Sequence, residues 1–249
     1  MPGISGATRL AAVIGDPARH SLSPAIHNAA FAETGLDWVY LAFDVSAEHL
    51  DGALAAARTL GLGGLSVTMP HKTATAGLVD SCSVPAQALD AVNCVVPGDD
   101  GLHGENTDGD GFLAGLRADA GIEPAGLDVL VLGAGGAARA VVEALARHGA
   151  ASVGVHNRTP ERARTAAAMA GSVGQVVDLD ELDRYHLIVN ATPQGMTGGS
   201  DAALPCPVDG LHGGQCLVDL VYQPAETPWL RAARARGLEA HNGLSMLVH

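Results

Sequence analysis

The 249-residue sequence predicts an α/β fold of two lobes, each built around a largely parallel sheet. Two observations carry this prediction. Short apolar runs alternate with longer alanine-rich segments of helical periodicity, which is typical of βαβ units. The alternation pauses near residues 105–125 and then starts again. We expect a first lobe of residues 1–108, to which residues 241–249 return, and a second lobe of residues 109–240.

The elements of each lobe are bounded by turn residues. Helical segments are followed by glycines that favour a helix end, namely Gly35, Gly61, Gly149 and Gly237. First-lobe strands are predicted at 10–14, 39–45, 65–68 and 91–96, and helices at 24–34 and 47–60. Residues 98–101 predict a hairpin turn, and residues 108–120 predict a helix that leads into the second lobe. Second-lobe strands are predicted at 129–132, 152–156, 186–190 and 216–220, and helices at 135–148, 160–170 and 227–236.

Composition and charge exclude several classes of protein. A formal net charge of -13 argues against a general nucleic-acid or membrane-surface binder. No apolar run approaches the roughly 18 residues of a membrane helix. The short N-terminal apolar stretch runs into Gly15-Asp16-Pro17, which predicts a strand and a turn rather than a signal peptide. The four cysteines show no Cys-x-x-Cys spacing, so we expect a cytoplasmic protein with reduced thiols and no metal site.

A glycine-rich turn follows the first predicted strand of the second lobe. Residues 133–138 are Gly-Ala-Gly-Gly-Ala-Ala, with a strand before and a helix after, which is the required context of a dinucleotide-binding turn. Gly133 permits the tight turn, Gly135 lets the backbone approach a pyrophosphate, and Ala138 allows close packing of helix on strand. The helix N-terminus offers free N–H groups to phosphates. The alternative is a tight structural turn without a ligand.

The residues after the next strand favour NADP over NAD. An NAD site would place a carboxylate there for the ribose hydroxyls, and the sequence has none. Arg158 and Arg162 instead suit a 2′-phosphate. The alternative is that both arginines are surface residues at a helix start and bind no ligand. However, two cations near a helix N-terminus oppose its dipole, so a bound anion explains them better.

Two serines precede the first helix of the first lobe. Ser23 fits the N-cap and Pro24 fits the first helical position, which is sufficient as pure structure. Ser21 is not needed for that cap. Two hydroxyls at a helix N-terminus therefore make a candidate site for a small carboxylate, with capping alone as the alternative.

One lysine stands among the 14 basic residues of the sequence, at position 72. Lys72 follows the predicted strand 65–68, where the sites of α/β proteins gather. Asn93 and Asp108 supply further polar groups, and such a set suits a small polyhydroxylated acid. Lysine beside aspartate can relay a proton to a carbonyl oxygen. Arginine substitutes for lysine on a surface but cannot release a proton at working pH.

These motifs together resemble the shikimate dehydrogenase family, whose members reduce 3-dehydroshikimate with NADPH in aromatic amino-acid biosynthesis. The resemblance covers nearly the whole chain, from about residue 13 to residue 249. Besides the glycine turn, it rests on residues 20–24 (HSLSP), 67–72 (VTMPHK), 91–93 (AVN), 106–109 (NTDG), 157–159 (NRT), 190–193 (NATP) and 243–244 (GL).

The resemblance implies roles for individual residues. The Lys72–Asp108 pair would handle the proton. The substrate would contact Ser21, Ser23, Thr68, Lys72, Asn93, Asp108 and Tyr222. The cofactor, NADP(H), would contact Gly133, Ala134, Gly135, Gly136, Ala137, Asn157, Arg158, Thr159, Arg162, Asn190, Thr192, Met196, Val221 and Gly243.

Some features depart from the family or stay open. A substrate-contacting glutamine and a C-terminal helix are expected after residues 246–248, where the sequence ends at His249. The segment from Leu244 is too short to be stable alone as a helix. His71 is expected at the rim of the pocket, with a second proton carrier as the alternative. Quinate or aminoshikimate dehydrogenase, or a non-catalytic dinucleotide sensor, remain alternative functions, and a homodimer is the default assembly.

Overall fold

The computed structural model describes residues 3–196 and 204–249. The chain divides into two compact units, Met1–Thr107 and Asp108–His249. The two-lobed α/β class predicted from the sequence is confirmed. The predicted return of residues 241–249 to the first lobe stays a prediction. Among the helices of the described residues, none combines the length and the hydrophobicity of a membrane span.

The first unit is built on a six-stranded mixed sheet of order β2-β1-β3-β5-β6-β4. Strands β2, β1 and β3 are parallel, β5 is antiparallel to both of its neighbours, and β4 pairs with β6 in parallel. The strands are β1 (Arg9–Gly15), β2 (Trp38–Asp44), β3 (Gly64–Val67), β4 (Ser81–Cys82), β5 (Cys94–Gly98) and β6 (Gly101–Glu105). The helices are α1 (Ser23–Thr34), α2 (Leu50–Thr59), α3 (Lys72–Ala76) and α4 (Val84–Leu89).

The first-unit predictions differ from the structure at short elements. The predicted strand 91–96 begins later, at Cys94, and the hairpin is confirmed because Gly98 pairs with Gly101. The predicted helix 47–60 opens as a 3-10 turn, Ala47–His49, before α2. Helices α3 and α4 were not predicted, since five and six residues are too few for a helical period to show.

The second unit is a fully parallel sheet of order β12-β11-β10-β7-β8-β9. Its strands are β7 (Asp128–Leu132), β8 (Ser152–His156), β9 (Gly174–Val176), β10 (Leu187–Asn190), β11 (Cys216–Asp219) and β12 (Glu239–Asn242). Its helices are α5 (Asp108–Ala120), α6 (Gly136–Arg147), α7 (Pro160–Ala168), α8 (Pro228–Ala235) and α9 (Leu244–Val248). This is the Rossmann-type arrangement expected from the glycine turn.

The central strands of this sheet are buried on both faces, as parallel sheets require. On one face, Val129, Val131 and Val153 pack with residues of α5, α6 and α7. On the other, Leu130 and Ile188 pack with residues of α8. The carboxyl ends of β7, β8, β10 and β11 therefore meet at one edge, where ligands of such sheets bind.

Helix α9 is short but has a partner. Gly111 and Gly115 of α5 face it so closely that a Cβ would meet the Met246 carbonyl oxygen at 2.8 Å and its amide nitrogen at 2.9 Å. The Ser245 hydroxyl donates a 2.7 Å hydrogen bond to Asp119 of α5. A segment too short to be helical alone is thus held as a helix by packing on α5.

Candidate active site

In the first unit, the turn after β3 lies beside the start of β5. The Val67 amide donates to the Asn93 carbonyl over 2.7 Å, and the Val92 amide donates to the Lys72 carbonyl over 2.9 Å. The turn itself is closed by a 3.0 Å bond from the His71 amide to the Thr68 carbonyl. The structure therefore brings Thr68, Lys72 and Asn93 together, as the sequence motifs suggested.

The side chain of Asn93 is held in one orientation. Its Oδ1 accepts from the Thr107 amide at 2.9 Å, and its Nδ2 donates to the Thr107 hydroxyl at 3.0 Å. Asn106, which is buried, donates from Nδ2 to the Ala91 carbonyl over 2.9 Å. The Asn-Thr pair of the 106–109 motif thus positions Asn93. Thr107 was not among the candidate site residues, because no spacing rule connects it to Asn93.

The two serines occupy the start of α1, but the predicted cap is wrong. The N-cap is Leu22, and Ser23 is already the first helical residue. The Ser21 hydroxyl accepts from the Ser23 amide at 3.1 Å and lies 3.0 Å from the Ser23 hydroxyl. Ser21 therefore satisfies a free N–H of the helix start, which leaves Ser23 to present its hydroxyl from a buried position.

The loop that carries Ser21 is fastened to the end of β2. The Asp44 carboxylate accepts from the Ala18 amide at 2.8 Å and from the Arg19 amide at 3.2 Å, and it pairs with the Arg19 guanidinium. The Ala18 hydrogen bond, more than the Arg19 charge, lowers the pKa of Asp44. The loop is fastened on its other side by the Asp16 amide, which donates to the Met69 carbonyl at 2.9 Å.

His71 is not a rim residue. Its side chain is 1% exposed, and Nε2 lies 2.6 Å from the Val45 carbonyl oxygen just after β2. A ring nitrogen this close to a carbonyl carries the proton and donates it. The expectation of a pocket-rim position is wrong, because the ring is buried and bonded to the backbone that follows β2. His71 instead anchors the turn that carries Lys72 to the segment after β2.

In the second unit, the glycine turn has the geometry that its sequence predicts. Gly133 has a φ of +110°, and a Cβ there would meet the Ala191 carbonyl oxygen at 3.0 Å. At Gly135 and Gly136 a Cβ would have no heavy atom within 4 Å, so both face open space. No side chain caps the N-terminus of α6. Ala138 is fully buried, as close packing of α6 requires.

Two of the residues after β8 are arginines, and the one acid beside them, Glu161, pairs with Arg164 instead. Arg158 and Arg162 are exposed and flank Thr159 and Pro160 at the start of α7. Within residues 3–196 and 204–249, neither guanidinium forms an ion pair. Asn157 Nδ2 donates to the Thr159 carbonyl over 3.0 Å and so shapes the turn between these two residues.

A buried polar network joins the ends of β10 and β11. The Asp219 carboxylate accepts from Asn190 Nδ2 at 2.8 Å, from the Val221 amide at 3.1 Å and from the Thr227 hydroxyl at 2.7 Å. Asn190 Oδ1 in turn accepts from the Thr192 hydroxyl at 2.7 Å. Burial raises the pKa of Asp219, and the three donated hydrogen bonds oppose that rise.

Sequence reasoning missed Asp219 and Thr227. An aspartate that closes an apolar strand, Cys-Leu-Val-Asp, was the available signal, because an acid at that place must be buried with donors. Thr227 has a second role, since its hydroxyl accepts from the Leu230 amide at 3.3 Å and caps α8.

The remaining predicted cofactor and substrate residues lie in the same unit. Val221 is buried two residues after the end of β11, and burial raises the pKa of the partly buried Tyr222. Met196 is 42% exposed. Gly243 lies against Leu220, whose carbonyl oxygen would overlap a Cβ at this position, so no larger residue fits there.

One group of side chains could in principle hold a metal ion. Ligand atoms of Cys216, Glu239 and His241 lie within 4.8 Å of one another at the start of β11 and along β12. Burial raises the pKa of the Cys216 thiol to about 12, which opposes the loss of its proton that metal binding requires. The cluster therefore gives no support for a metal site.

The fully parallel second sheet and its open glycine turn define the class of dinucleotide-binding α/β proteins. The first unit is a second α/β domain, and it carries the polar residues around Lys72. A family model described as shikimate dehydrogenase substrate binding domain matches residues 13–95, and one described as shikimate/quinate 5-dehydrogenase matches residues 119–194. The chain belongs to the shikimate dehydrogenase family.

Relatives and solved structures agree with this assignment. The NADP(+)-dependent shikimate dehydrogenase of Citrifermentans bemidjiense is 43% identical over 98% of this chain and 88% of its own. The Thermus thermophilus enzyme in complex with NADP(H) and shikimate superposes with a TM-score of 0.88, at 40% identity, over 96% of this chain and 88% of that one. The Listeria monocytogenes enzyme in complex with shikimate and NAD gives a TM-score of 0.90 at 34% identity, over 99% and 90%.

Proposed function

We propose that this protein is an NADP-dependent oxidoreductase that interconverts 3-dehydroshikimate and shikimate. The observation that carries the proposal is the backbone ladder that sets Thr68 and Lys72 beside Asn93, in a chain 43% identical to NADP(+)-dependent shikimate dehydrogenase. The sole lysine of the sequence lies at this place.

The first unit would supply the serines, Thr68 and Asn93 of the substrate site. Ser21 and Ser23 at the start of α1 would bind the carboxylate, since hydroxyls and a helix N-terminus both favour an anion. Thr68, Asn93 and Asp108 would bind ring hydroxyls, with Tyr222 as a further contact. Asn93 suits this role because Thr107 already fixes its amide.

The cofactor site would be formed by the second unit, whose residues fit a dinucleotide. Gly135 and Gly136 leave open space in front of an uncapped helix N-terminus, which suits a pyrophosphate. Asn157, Arg158, Thr159 and Arg162 would hold the 2′-phosphate. Asn190, Thr192, Met196, Val221 and Gly243 would line the nicotinamide half. When bound, NADPH supplies the hydride for reduction of the ketone.

Lys72, with Asp108, would supply the proton to the oxygen of the reduced ketone and take it back in the reverse direction. An amine can exchange a proton during turnover, whereas a guanidinium cannot. His71 would contribute by anchoring the turn that carries Lys72 rather than by moving a proton itself.

A spectrophotometric assay at a wavelength where NADPH absorbs tests the proposal. The purified protein would receive shikimate or quinate, each with NADP⁺ or NAD⁺. We expect the highest kcat/KM with shikimate and NADP⁺. Faster oxidation of quinate would favour the quinate dehydrogenase alternative. Ser23 argues against that alternative, because quinate-using relatives often have threonine at this position. Cofactor binding without turnover of any substrate would favour a dinucleotide sensor.

Three further expectations belong with this proposal. The substrate domain would comprise residues 1–108 together with residues 241–249, and the cofactor domain residues 109–240. The protein would form a homodimer and would act in the cytoplasm. Light scattering after size-exclusion chromatography tests the assembly, because a monomeric mass at micromolar concentration would exclude the dimer.

A further inference from the structure

The arginines differ sharply in how their charge is compensated. Within residues 3–196 and 204–249, nine of the thirteen form an ion pair with a carboxylate. Arg9 lies over the Trp38 ring at 4.3 Å from its centroid. The three others in that part of the chain, Arg139, Arg158 and Arg162, have neither kind of partner.

The three uncompensated arginines lie in one region of the second sheet. Arg139 is the fourth residue of α6, which begins after the glycine turn, and it is partly buried. Arg158 and Arg162 flank the start of α7, which begins after β8. Strands β7 and β8 are neighbours, and α6 and α7 pack on the same face of the sheet. Both helices therefore begin at the same edge.

The lack of a partner for Arg139 is not explained by a shortage of acids, since the chain carries 27 of them. Glu143 lies one turn further along α6, where an ion pair with Arg139 would be possible. Its carboxylate instead accepts from Arg147 at 3.0 Å. A cation near a helix N-terminus is also unfavourable in the free protein. Both facts indicate that Arg139 is placed for an anion that binds from outside.

We propose that Arg139 binds a phosphate group of the dinucleotide, as a third arginine beside Arg158 and Arg162. The inference rests on the proposed function, since it needs the NADP site at the glycine turn. The glycine motif assigns only backbone N–H groups to that turn. Arg139 adds a side-chain charge from the same helix, and its phosphate is either the pyrophosphate or the 2′-phosphate.

The test is a direct binding measurement without substrate. The dissociation constant of NADPH, followed by its fluorescence, is compared for the wild type, Arg139→Ala and Arg147→Ala. Arg147 is the matched control, because it lies on the same helix and is already paired with Asp110 and Glu143. We expect about tenfold or greater weakening for Arg139→Ala, as for loss of a charge-assisted hydrogen bond, and less than about twofold for the control.

NADH distinguishes the two sources of phosphate. Equal weakening of NADH and NADPH binding assigns Arg139 to the pyrophosphate, and weakening of NADPH binding alone assigns it to the 2′-phosphate. Arg139→Lys keeps the charge and should lose less affinity than Arg139→Ala. In either case the dependence of NADPH affinity on salt should become shallower in Arg139→Ala.

Two results would overturn the inference. One is unchanged affinity of Arg139→Ala for both cofactors. The other is a fall in the melting temperature of the ligand-free variant, because a residue placed for a ligand should leave that temperature unchanged or raise it. A wild type that binds no NADPH contradicts the proposed function itself, whereas a wild type that binds and a variant that binds equally contradict only the role of Arg139.

Discussion

The Asp219 carboxylate and the Asn190 side-chain amide form a 2.8 Å hydrogen bond in the interior of the second unit. Both residues are fully buried, at the ends of the neighbouring strands β11 and β10. Asn190 also accepts from the Thr192 amide and hydroxyl, and the Thr192 methyl group would lie 3.1 Å from a Cβ on Gly133. The Asp219–Asn190 pair therefore holds the segment of Ala191 and Thr192 in place against Gly133 of the glycine turn.

Asp219→Asn should destabilise the protein. An asparagine would direct an N–H group at donors that now bond to a carboxylate, so at least one of them loses its partner. We expect the free energy of unfolding to fall by about 1–3 kcal/mol in urea denaturation. The exposed Asp180→Asn, which removes the same charge, is the control. Equal stability of the two variants would contradict a structural role for the Asp219 network.

Two glycine-to-alanine changes should separate folding from binding at the glycine turn. Gly133→Ala places a Cβ against Ala191 at a φ of +110°, so both stability and NADPH affinity should fall. Gly135→Ala meets no protein atom within 4 Å, so stability should change by less than about 1 kcal/mol. Its Cβ would occupy the space left for a pyrophosphate, and NADPH affinity should fall by about tenfold or more. Thermal unfolding and fluorescence titration measure the two effects.

Lys72→Met should lower kcat by about 10²-fold or more while the dissociation constant of NADPH stays nearly constant. Lys72→Arg is the sharper variant, because it keeps the positive charge but cannot release a proton at working pH. Turnover and cofactor titration are measured on the same preparations. Wild-type turnover in Lys72→Arg would show that charge alone is needed and would remove the proton-transfer role.

The hydrogen bonds and the ion pair of Asp44 predict how the stability of the protein depends on pH. Its pKa is lowered in the folded protein, chiefly by the Ala18 hydrogen bond. Such a group contributes stability above its unfolded pKa, about 3.9, and the contribution is lost as the pH falls through the lower folded pKa. Asp44→Asn should thus be less stable than the wild type at pH 7, and the difference should disappear in the acid range below about pH 4.

The same variant should raise the KM for shikimate, because the loop that carries Ser21 loses its fastening to β2. Asp99→Asn in the exposed hairpin turn serves as the control for charge. A stability difference that persists unchanged into acid would show that Asp44 acts through packing rather than through its charge.

Much of the fold was predictable because its signals are local. The glycine turn, the arginines after β8 and the lysine after β3 each follow a strand whose apolar run is plain in the sequence. The start of α1 was misassigned because Ser21 and Ser23 are both good caps, and only the backbone decides which hydroxyl faces a free N–H. His71 was misplaced because its partner, the Val45 carbonyl, is 26 residues away.

Long-range partners explain the other omissions. Asp219 is satisfied by Asn190, 29 residues earlier, and by Thr227, eight residues later. No spacing rule connects these three positions. The pairing of arginines with acids was equally hidden, since several partners lie more than 20 residues apart, such as Arg58 with Asp80. The three uncompensated arginines stand out only once the others have been paired.

Lys72, at the start of α3, is the single side-chain amine in these 249 residues. Reagents that acylate or reductively alkylate amines therefore have one side-chain target in this chain, and peptide mass mapping separates its modification from that of the N-terminal amine. The protein can carry a single reporter at the centre of its proposed chemistry without any engineered cysteine. Protection of that amine by a bound ligand would report occupancy of the site directly, independently of turnover.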